Sequence, residues 1–155
     1  MSAPSDLVGR WDIVSWVQAY DDGRMQYPMG EDLDGFIHYT ADGDMMCMIA
    51  RRDRPAFTTG GQWDASDADK AAAYQSMLSY AGRYEVADDV VIHDVELSLF
   101  PNWIGGQQRR RFVFHDDGTL ALEARLEDDA PQARTARLVW RRHRAVSGAV
   151  RGEES

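Results

Sequence analysis

The sequence has one cysteine, Cys47, and no apolar run long enough to cross a bilayer. A single cysteine excludes an internal disulfide framework, and a membrane-spanning helix needs about 20 consecutive apolar residues. Cationic residues are also scarce, because 17 lysines and arginines stand against 26 aspartates and glutamates, for a net charge of −9. We therefore expect no binding to nucleic acid and none to an anionic membrane surface.

The sequence also lacks the motifs of several common enzyme classes. It contains no Gly-x-Ser-x-Gly, no phosphate-binding loop and no dinucleotide-binding fingerprint. The four histidines stand far apart, with no His-x-His and no Cys-x-x-Cys pair, so we expect no metal site and no cofactor. The first eight residues hold no apolar run of signal-peptide length, which predicts a cytoplasmic protein.

What the chain does contain is a series of strand-like runs. About nine segments are rich in apolar residues, often alternating with polar ones, and turn sequences such as Asp22-Gly23 separate them. Hairpin connections make neighbouring strands antiparallel, so the pattern predicts an all-β, up-and-down antiparallel barrel of about eight to ten strands. Residues 1–144 are expected to form this single domain, and residues 145–155, which lose the periodicity, a disordered tail.

The segment Ser66–Ala81 differs from the strand pattern, since it contains neither glycine nor proline. Ser66, with Asp69 three residues further on, resembles an N-terminal capping box, and Gly82 is a suitable C-terminal cap. The apolar residues at helical spacing are Ala71, Tyr74, Leu78 and Ala81. These features predict one α-helix near residues 66–81 that packs on the barrel.

Two short patterns place tryptophan and arginine in the first and last predicted strands. Gly9-x-Trp11 opens the first strand, and Trp140-x-Arg142 lies on one face of the last. Both are similar to features of the lipocalin superfamily, where the tryptophan plugs one end of the barrel and the arginine packs across it. The resemblance implies that Trp11 and Arg142 close the barrel here.

Longer motifs resemble the bacterial lipocalin-like domain family. They are Tyr27-Pro28-Met29-Gly30-Glu31-Asp32, Gly35-x-x-x-Tyr39-Thr40-x-Asp42-Gly43, Tyr80-Ala81-Gly82-Arg83-Tyr84 and Ser98-Leu99-Phe100-Pro101-Asn102-Trp103. The resemblance extends from Leu7 to Arg142 and implies a small barrel of the calycin type with one helix. It implies no particular substrate, because such barrels include carriers, scavengers and a few enzymes.

His93 is the candidate catalytic residue. It interrupts an otherwise apolar row of odd-numbered residues from Val91 to Leu99, so it is expected to point into the barrel. A buried imidazole there could act as a general base or donate a hydrogen bond to a ligand, or it could be a core histidine satisfied by its neighbours. A β-bulge in this strand would instead turn Glu96 and Ser98 inward.

Five other side chains are candidates for contact with a ligand. Tyr39 offers an apolar ring with one hydroxyl, and Met46 and Met48 are flexible enough for either an adaptable cavity or a small core. Ser15 lies on the row of the first strand that is expected to face inward. Trp103 either closes over a ligand or caps the core. The ligand-binding candidates are therefore Ser15, Tyr39, Met46, Met48, His93 and Trp103.

The basic clusters of the sequence are Arg109–Arg111 and Arg141–Arg144. Consecutive strand residues alternate between faces, so we expect both clusters on solvated surfaces, paired with acids, except for Arg142. Cys47 has no cationic neighbour in the sequence and is expected to be an inert buried thiol.

The function that these features predict is the binding of a small hydrophobic or amphipathic molecule inside the barrel. The alternative is a small-molecule enzyme, a cyclase, isomerase or hydratase of a polyketide-like or other apolar metabolite, that uses the same cavity and His93. The sequence leaves open whether the protein catalyses a reaction. The expected partners are a small apolar ligand or substrate and, through an outer face, a second copy in a homodimer.

Overall fold

Most strands of the chain pair with the strand that follows them in sequence. The computed structural model describes residues 6–144, and the predicted tail at residues 145–155 lies outside the described residues. The strands are β1 (Gly9–Tyr20), β2 (Met25–Gln26), β3 (Leu33–Tyr39), β4 (Asp44–Arg51), β5 (Met77–Ala87), β6 (Val90–Ser98), β7 (Gln107–Phe114), β8 (Thr119–Leu126) and β9 (Arg134–Arg142).

Eight of these strands, β1 and β3 to β9, form a closed antiparallel barrel, because β1 pairs with both β3 and β9. The two residues of β2 pair only with the last part of β1. The predicted all-β antiparallel barrel is therefore confirmed.

The two ends of the barrel differ in the length of their connections. Short turns at 40–43, 88–89 and 115–118 lie at one end, which we call the turn end. The connections at the other end, which we call the loop end, are longer and span 21–32, 52–76, 99–106 and 127–133. Long loops around one rim leave the interior more accessible there than at the turn end.

Trp11 and Arg142 lie together at the turn end. The Trp11 ring is buried, and its Nε1 donates a hydrogen bond to the Leu7 carbonyl at 2.9 Å. The Arg142 guanidinium lies 4.1 Å from the centroid of that ring. Its two terminal nitrogens donate to the carbonyls of Val8 and Asp6, each at 2.8 Å. Arg142 thus ties the segment that enters β1 to the last strand.

Large buried side chains fill the turn-end half of the barrel. Tyr39 and Met45 flank the first short turn, and Phe112 and Leu120 lie near the last one. Trp11 packs among them, with its ring 6.0 Å from that of Phe114. Because this half is filled by side chains, space for a ligand has to be sought nearer the loop end.

A β-bulge in β1 changes which residues face the interior. Ile13 pairs with Trp140 and Ser15 pairs with Val139, so that Val14 has no partner of its own in β9 and is 40% exposed. One extra residue in a strand reverses the alternation of faces beyond it.

The inward row predicted for β1 is consequently wrong beyond Ile13. Trp16 and Gln18 line the interior instead, and Ser15 does not. The even-numbered residues of β1 include both polar and apolar side chains, so nothing in the sequence indicates that they turn inward. Only the pairing with β9 shows the change of face.

A second bulge lies in β6. Ala81 of β5 pairs with Leu97 and Gly82 pairs with Val95, which leaves Glu96 as the extra residue. The predicted inward position of His93, before the bulge, agrees with its complete burial. Beyond the bulge the predicted row is wrong, because Leu97 is 70% exposed.

The helix α1 spans Asp67–Gln75, so it begins as expected and ends earlier than residue 81. The Ser66 hydroxyl accepts a hydrogen bond from the backbone amide of Asp69 at 3.1 Å, as a helix N-cap does. Tyr74, expected on a packed stripe, is 45% exposed. Within residues 6–144 no helix is both long and apolar enough to span a bilayer.

Residues 77–81 belong to β5 because they pair with β4, where tertiary pairing outweighs local helix propensity. Gly82 is therefore not a helix cap. A Cβ atom at this position would lie 1.9 Å from the carbonyl oxygen of Asp94, so the close approach of β5 and β6 requires glycine there.

Replacement of Arg142 by methionine should destabilise the barrel. Arg142→Met removes the cation–π contact and two charge-assisted hydrogen bonds, which in this exposed setting should cost about 1–2 kcal/mol of unfolding free energy. Urea denaturation measures the loss. Arg141→Met, on the exposed face of the same strand, is the matched control, and equal losses in the two variants would contradict a specific role for Arg142.

Candidate functional site

A cavity of about 340 Å³ lies inside the loop-end half of the barrel. Its walls are mainly apolar, with side chains from all eight strands of the barrel, and the apolar wall includes Ile37, Leu78, Leu122, Leu126 and Leu138. Trp103, from the 3-10 turn Pro101–Trp103, also lines it.

Two alanines help to leave this space open. Ala124 of β8 pairs with Ala136 of β9, and both line the cavity. Nearer the turn end the same two strands contribute Leu120 and Trp140 as a pair. The change from large to small side chains along β8 and β9 explains why one half of the barrel is filled and the other hollow.

His93 is hydrogen-bonded through both ring nitrogens. Its Nε2 lies 2.7 Å from the hydroxyl oxygen of Tyr39, and its Nδ1 lies 2.7 Å from that of Tyr80. His93 and Tyr80 line the cavity, whereas Tyr39 lies behind His93 in the packed half. The three side chains form a hydrogen-bonded chain that ends at the cavity wall.

The burial of Tyr39 determines which group donates and which accepts in each of these hydrogen bonds. Its hydroxyl is fully buried, and among residues 6–144 its hydrogen-bond partner is His93 Nε2, so the hydroxyl donates to that nitrogen. The neutral ring then carries its proton on Nδ1, which donates to the Tyr80 oxygen. The hydroxyl proton of Tyr80 is left to donate into the cavity.

Burial keeps these groups in their neutral forms. Desolvation, with a smaller contribution from the Arg110 charge, lowers the pKa of His93 to about 3. Burial also raises the pKa values of Tyr39 and Tyr80 well above their usual range. It raises the pKa of the Cys47 thiol to about 12, so this cysteine is a poor nucleophile at neutral pH.

Arg110 is the cationic residue of the cavity wall. It shares the inward row of β7 with Gln108 and Phe112, and it is half-buried. One terminal nitrogen donates to the Arg109 carbonyl and the other to the Gln108 side-chain oxygen, both at 2.9 Å. Within residues 6–144 no carboxylate pairs with Arg110, whereas Arg111 on the outer face pairs with acids. The solvated, acid-paired position predicted for all three arginines is therefore wrong for Arg110.

Two indole groups of the wall also have unused donors. The Nε1 atoms of Trp16 and Trp140 are buried and have no hydrogen-bond partner among the described residues. A buried donor without an acceptor typically costs about 1–3 kcal/mol. Both nitrogens have almost no accessible surface, so they are enclosed by neighbouring side chains rather than open to the cavity.

The ligand-binding candidates fall into three places. His93 and Trp103 line the cavity, and the Trp103 ring packs edge-on against Tyr80 with centroids 5.6 Å apart. Tyr39 does not line the cavity and reaches it only through His93. Ser15 lies outside it because of the bulge in β1. The roles of these residues in binding stay predictions.

Met46 and Met48 do not face the cavity. In β4 the inward side chains are Met45, Cys47 and Ile49, which are buried, while Met46 is 44% exposed. Met46 and Met48 lie instead in a shallow groove on the outer surface that Leu97 also lines. Both faces of β4 are apolar, so alternation in the sequence did not distinguish them.

The sequence-based candidates missed most of the cavity wall, including its polar and aromatic residues Trp16, Tyr80, Gln108 and Arg110. Trp16 is turned inward by the bulge, and Tyr80 falls in the segment predicted as helical. The inward row of β7 was detectable, because Gln108 and Arg110 continue the alternation that reaches Phe112. Within residues 6–144 no three His, Cys, Asp or Glu side chains form an arrangement that could hold a metal ion.

The family model that matches this chain agrees with this architecture. A family model described as a lipocalin-like domain matches residues 8–143. The 4'-hydroxy-3'-methoxypropiophenone carrier protein ppsC of Aspergillus oryzae is 40% identical over 63 residues, which cover 36% of this chain and 55% of that protein. The chain thus matches about half the length of this curated relative. A solved structure of a redesigned β-barrel covers 90% of this chain and 94% of its own, at 11% identity and a TM-score of 0.41.

Replacement of His93 should change how stability depends on pH. The pKa of His93 is about 3 in the folded protein, against an ordinary value of 6.5. Below pH 6.5 the unfolded chain therefore binds a proton that the folded chain does not, so stability falls as pH falls from 6.5 towards 3, by up to about 1.4 kcal/mol per pH unit. His93→Gln should remove this contribution, so that the variant loses about 2 kcal/mol less than the native protein between pH 6.5 and 4.5.

Urea denaturation at several pH values between 6.5 and 4.5 measures this difference. The matched control is His115→Gln, in the exposed turn between β7 and β8, which should keep most of the native pH dependence. Parallel curves for His93→Gln and the native protein would show that His93 does not supply the effect.

Proposed function

The chain belongs to the lipocalin-like domain family, and on that basis we propose that it binds a small, mainly apolar molecule in the loop-end half of its barrel. The observation that carries the proposal is the cavity of about 340 Å³, whose apolar walls include a few buried polar groups. Small-molecule sites typically have this composition and volumes of roughly 300–1,000 Å³. The cavity lies at the lower end of that range, which suits a ligand with one to three rings.

Binding would be driven by removal of apolar surface from water. Each Å² of apolar surface buried contributes roughly 25 cal/mol, before the costs of association are subtracted. Polar groups of the wall, Tyr80 among them, would orient the ligand by hydrogen bonds. In this account Ser15, Met46 and Met48 make no contact with the ligand, and Trp103 contacts it at the side of the cavity.

The partial likeness to a carrier protein supports carriage rather than chemical conversion. The molecule named for that relative is an aromatic ketone with a hydroxyl and a methoxy group on its ring. A molecule of this kind has the size and the mixture of apolar surface and acceptor oxygens that the cavity accommodates. We therefore propose an aromatic molecule of about this size, with acceptor oxygens, as the class of ligand.

The alternative, an enzyme that acts in the same cavity, would need His93 to accept a proton. A pKa of about 3 makes the neutral imidazole a weak base near neutral pH, although it can still hold a hydrogen-bond donor in place. We therefore propose that His93 is a positioning residue, which orients the hydroxyl of Tyr80.

The proposal is tested with N-phenyl-1-naphthylamine, a neutral fluorescent probe of apolar sites. The native protein should give a saturable increase in probe fluorescence. Ala124→Trp places a large ring in the cavity and should weaken binding at least about tenfold. Ala87→Trp makes the same substitution at an exposed site at the turn end and should leave binding unchanged.

Near-ultraviolet circular dichroism and urea denaturation establish that each variant is folded. A folded Ala124→Trp variant with native affinity would place the probe outside the cavity and contradict the proposal. Absence of saturable binding to the native protein would contradict it as well.

A further inference from the structure

We propose that the molecule bound in this cavity carries one anionic oxygen group, most suitably a carboxylate, and that Arg110 pairs with it. This inference rests on the proposed function, because it specifies the ligand of the same cavity. It comes from the polar groups of the wall, which present donors and a positive charge but no free acceptor that matches them.

The donors belong to Tyr80 and Arg110. The hydroxyl of Tyr80 is left to donate into the cavity by the orientation of His93. Arg110 has five N–H groups, and its side chain makes two hydrogen bonds within residues 6–144.

The strongest acceptors of the wall are already occupied. The side-chain oxygen of Gln18 accepts from Arg134 Nε at 2.9 Å, and that of Gln108 accepts from Arg110 at 2.9 Å. Because the oxygen of each amide already accepts a hydrogen bond, its NH₂ group is the part that remains, and this group is a further donor. A ligand that brings acceptor oxygens would satisfy this wall, whereas a ligand that brings only donors would not.

The charge of Arg110 favours an anion over a neutral acceptor. Other strand arginines pair with carboxylates on the outer surface, Arg137 with Glu123 for example. Arg110 has no such partner within residues 6–144, and its charge acts on the interior, since it contributes to the lowered pKa of His93. A guanidinium presents paired N–H groups in a planar fork that matches a carboxylate.

The cost of desolvating Arg110 favours an anionic ligand over a neutral one. A neutral apolar molecule would remove water from Arg110 and from the Tyr80 hydroxyl without replacing their hydrogen bonds, which is costly for a charged group. A carboxylate also loses its hydration, but it gains a charge-assisted pair and additional donors in a water-poor site. The cavity should therefore discriminate against the uncharged analogue of an anionic ligand.

Two probes of nearly equal shape test the inference. 2-Naphthoate and 2-acetylnaphthalene share a ring system, and they differ in having a carboxylate or a methyl ketone. Their affinities are measured by displacement of N-phenyl-1-naphthylamine. The native protein should bind 2-naphthoate at least about tenfold more tightly than 2-acetylnaphthalene.

Arg110→Gln should abolish most of this preference by weakening the binding of 2-naphthoate about tenfold or more, with little change for the ketone and the fluorescent probe. Arg109→Gln removes the same charge from the exposed neighbouring position and should keep the preference. Arg110→Lys keeps the charge without the planar fork and should give an intermediate preference. It also serves as the second variant if Arg110→Gln does not fold.

Equal affinities of the native protein for the two naphthalenes would overturn the inference, and so would an unchanged preference in folded Arg110→Gln. Either result leaves the proposed function standing, because N-phenyl-1-naphthylamine still reports an apolar site. If the native protein did not bind N-phenyl-1-naphthylamine at all, the proposed function itself would be refuted.

Discussion

Pairing between β1 and β9 is the constraint on which the rest of this structure depends. It converts a meander of hairpins into a closed cylinder, and only a closed cylinder has an interior that can be divided into a filled half and a hollow half. The same pairing contains the bulge at Val14, which turns Trp16 and Gln18 inward. The strand that closes the barrel therefore also determines part of the chemistry of the cavity. Arg142, at the turn end of the same strand pair, packs over Trp11 and closes the filled half.

Burial determines the hydrogen-bond directions and the charge states of the polar groups inside the barrel. Tyr39 lies deep in the filled half and has a single described partner, so its hydroxyl sets the tautomer of His93, and His93 in turn sets the orientation of the Tyr80 hydroxyl. The imidazole carries no charge near neutral pH because it is desolvated. Its contribution to the cavity is thus directional rather than electrostatic, and the electrostatic contribution comes from Arg110.

The fold was largely predictable from the sequence, because hairpin turns and alternating runs leave few arrangements other than an antiparallel barrel. The N-terminus of the helix was predictable from Ser66, whereas its end was not, since residues 77–81 become a strand only through pairing with β4. The site was less predictable. His93 interrupts an apolar row and is detectable by that pattern alone. Trp16 is not, because a bulge changes the face on which it lies. The inward position of Arg110 follows from its alternation with Phe112, but the neighbouring charged residues make that alternation easy to overlook.

The cavity also has features that a barrel selected for stability alone would not keep. Filling the space beside Ala124 and Ala136 with larger apolar side chains would increase the buried apolar surface. Pairing Arg110 with an acid, or replacing it by an apolar residue, would avoid the cost of a half-buried charge. Two indole donors without acceptors add a further cost. Hollow space and a cation that has no acidic partner among the described residues occur in the same half of the barrel, and the other half has tightly packed aromatic and aliphatic side chains. Under the proposed function this segregation has a physical reason, because the filled half supplies the stability that lets the hollow half keep an open space and a charge for a ligand.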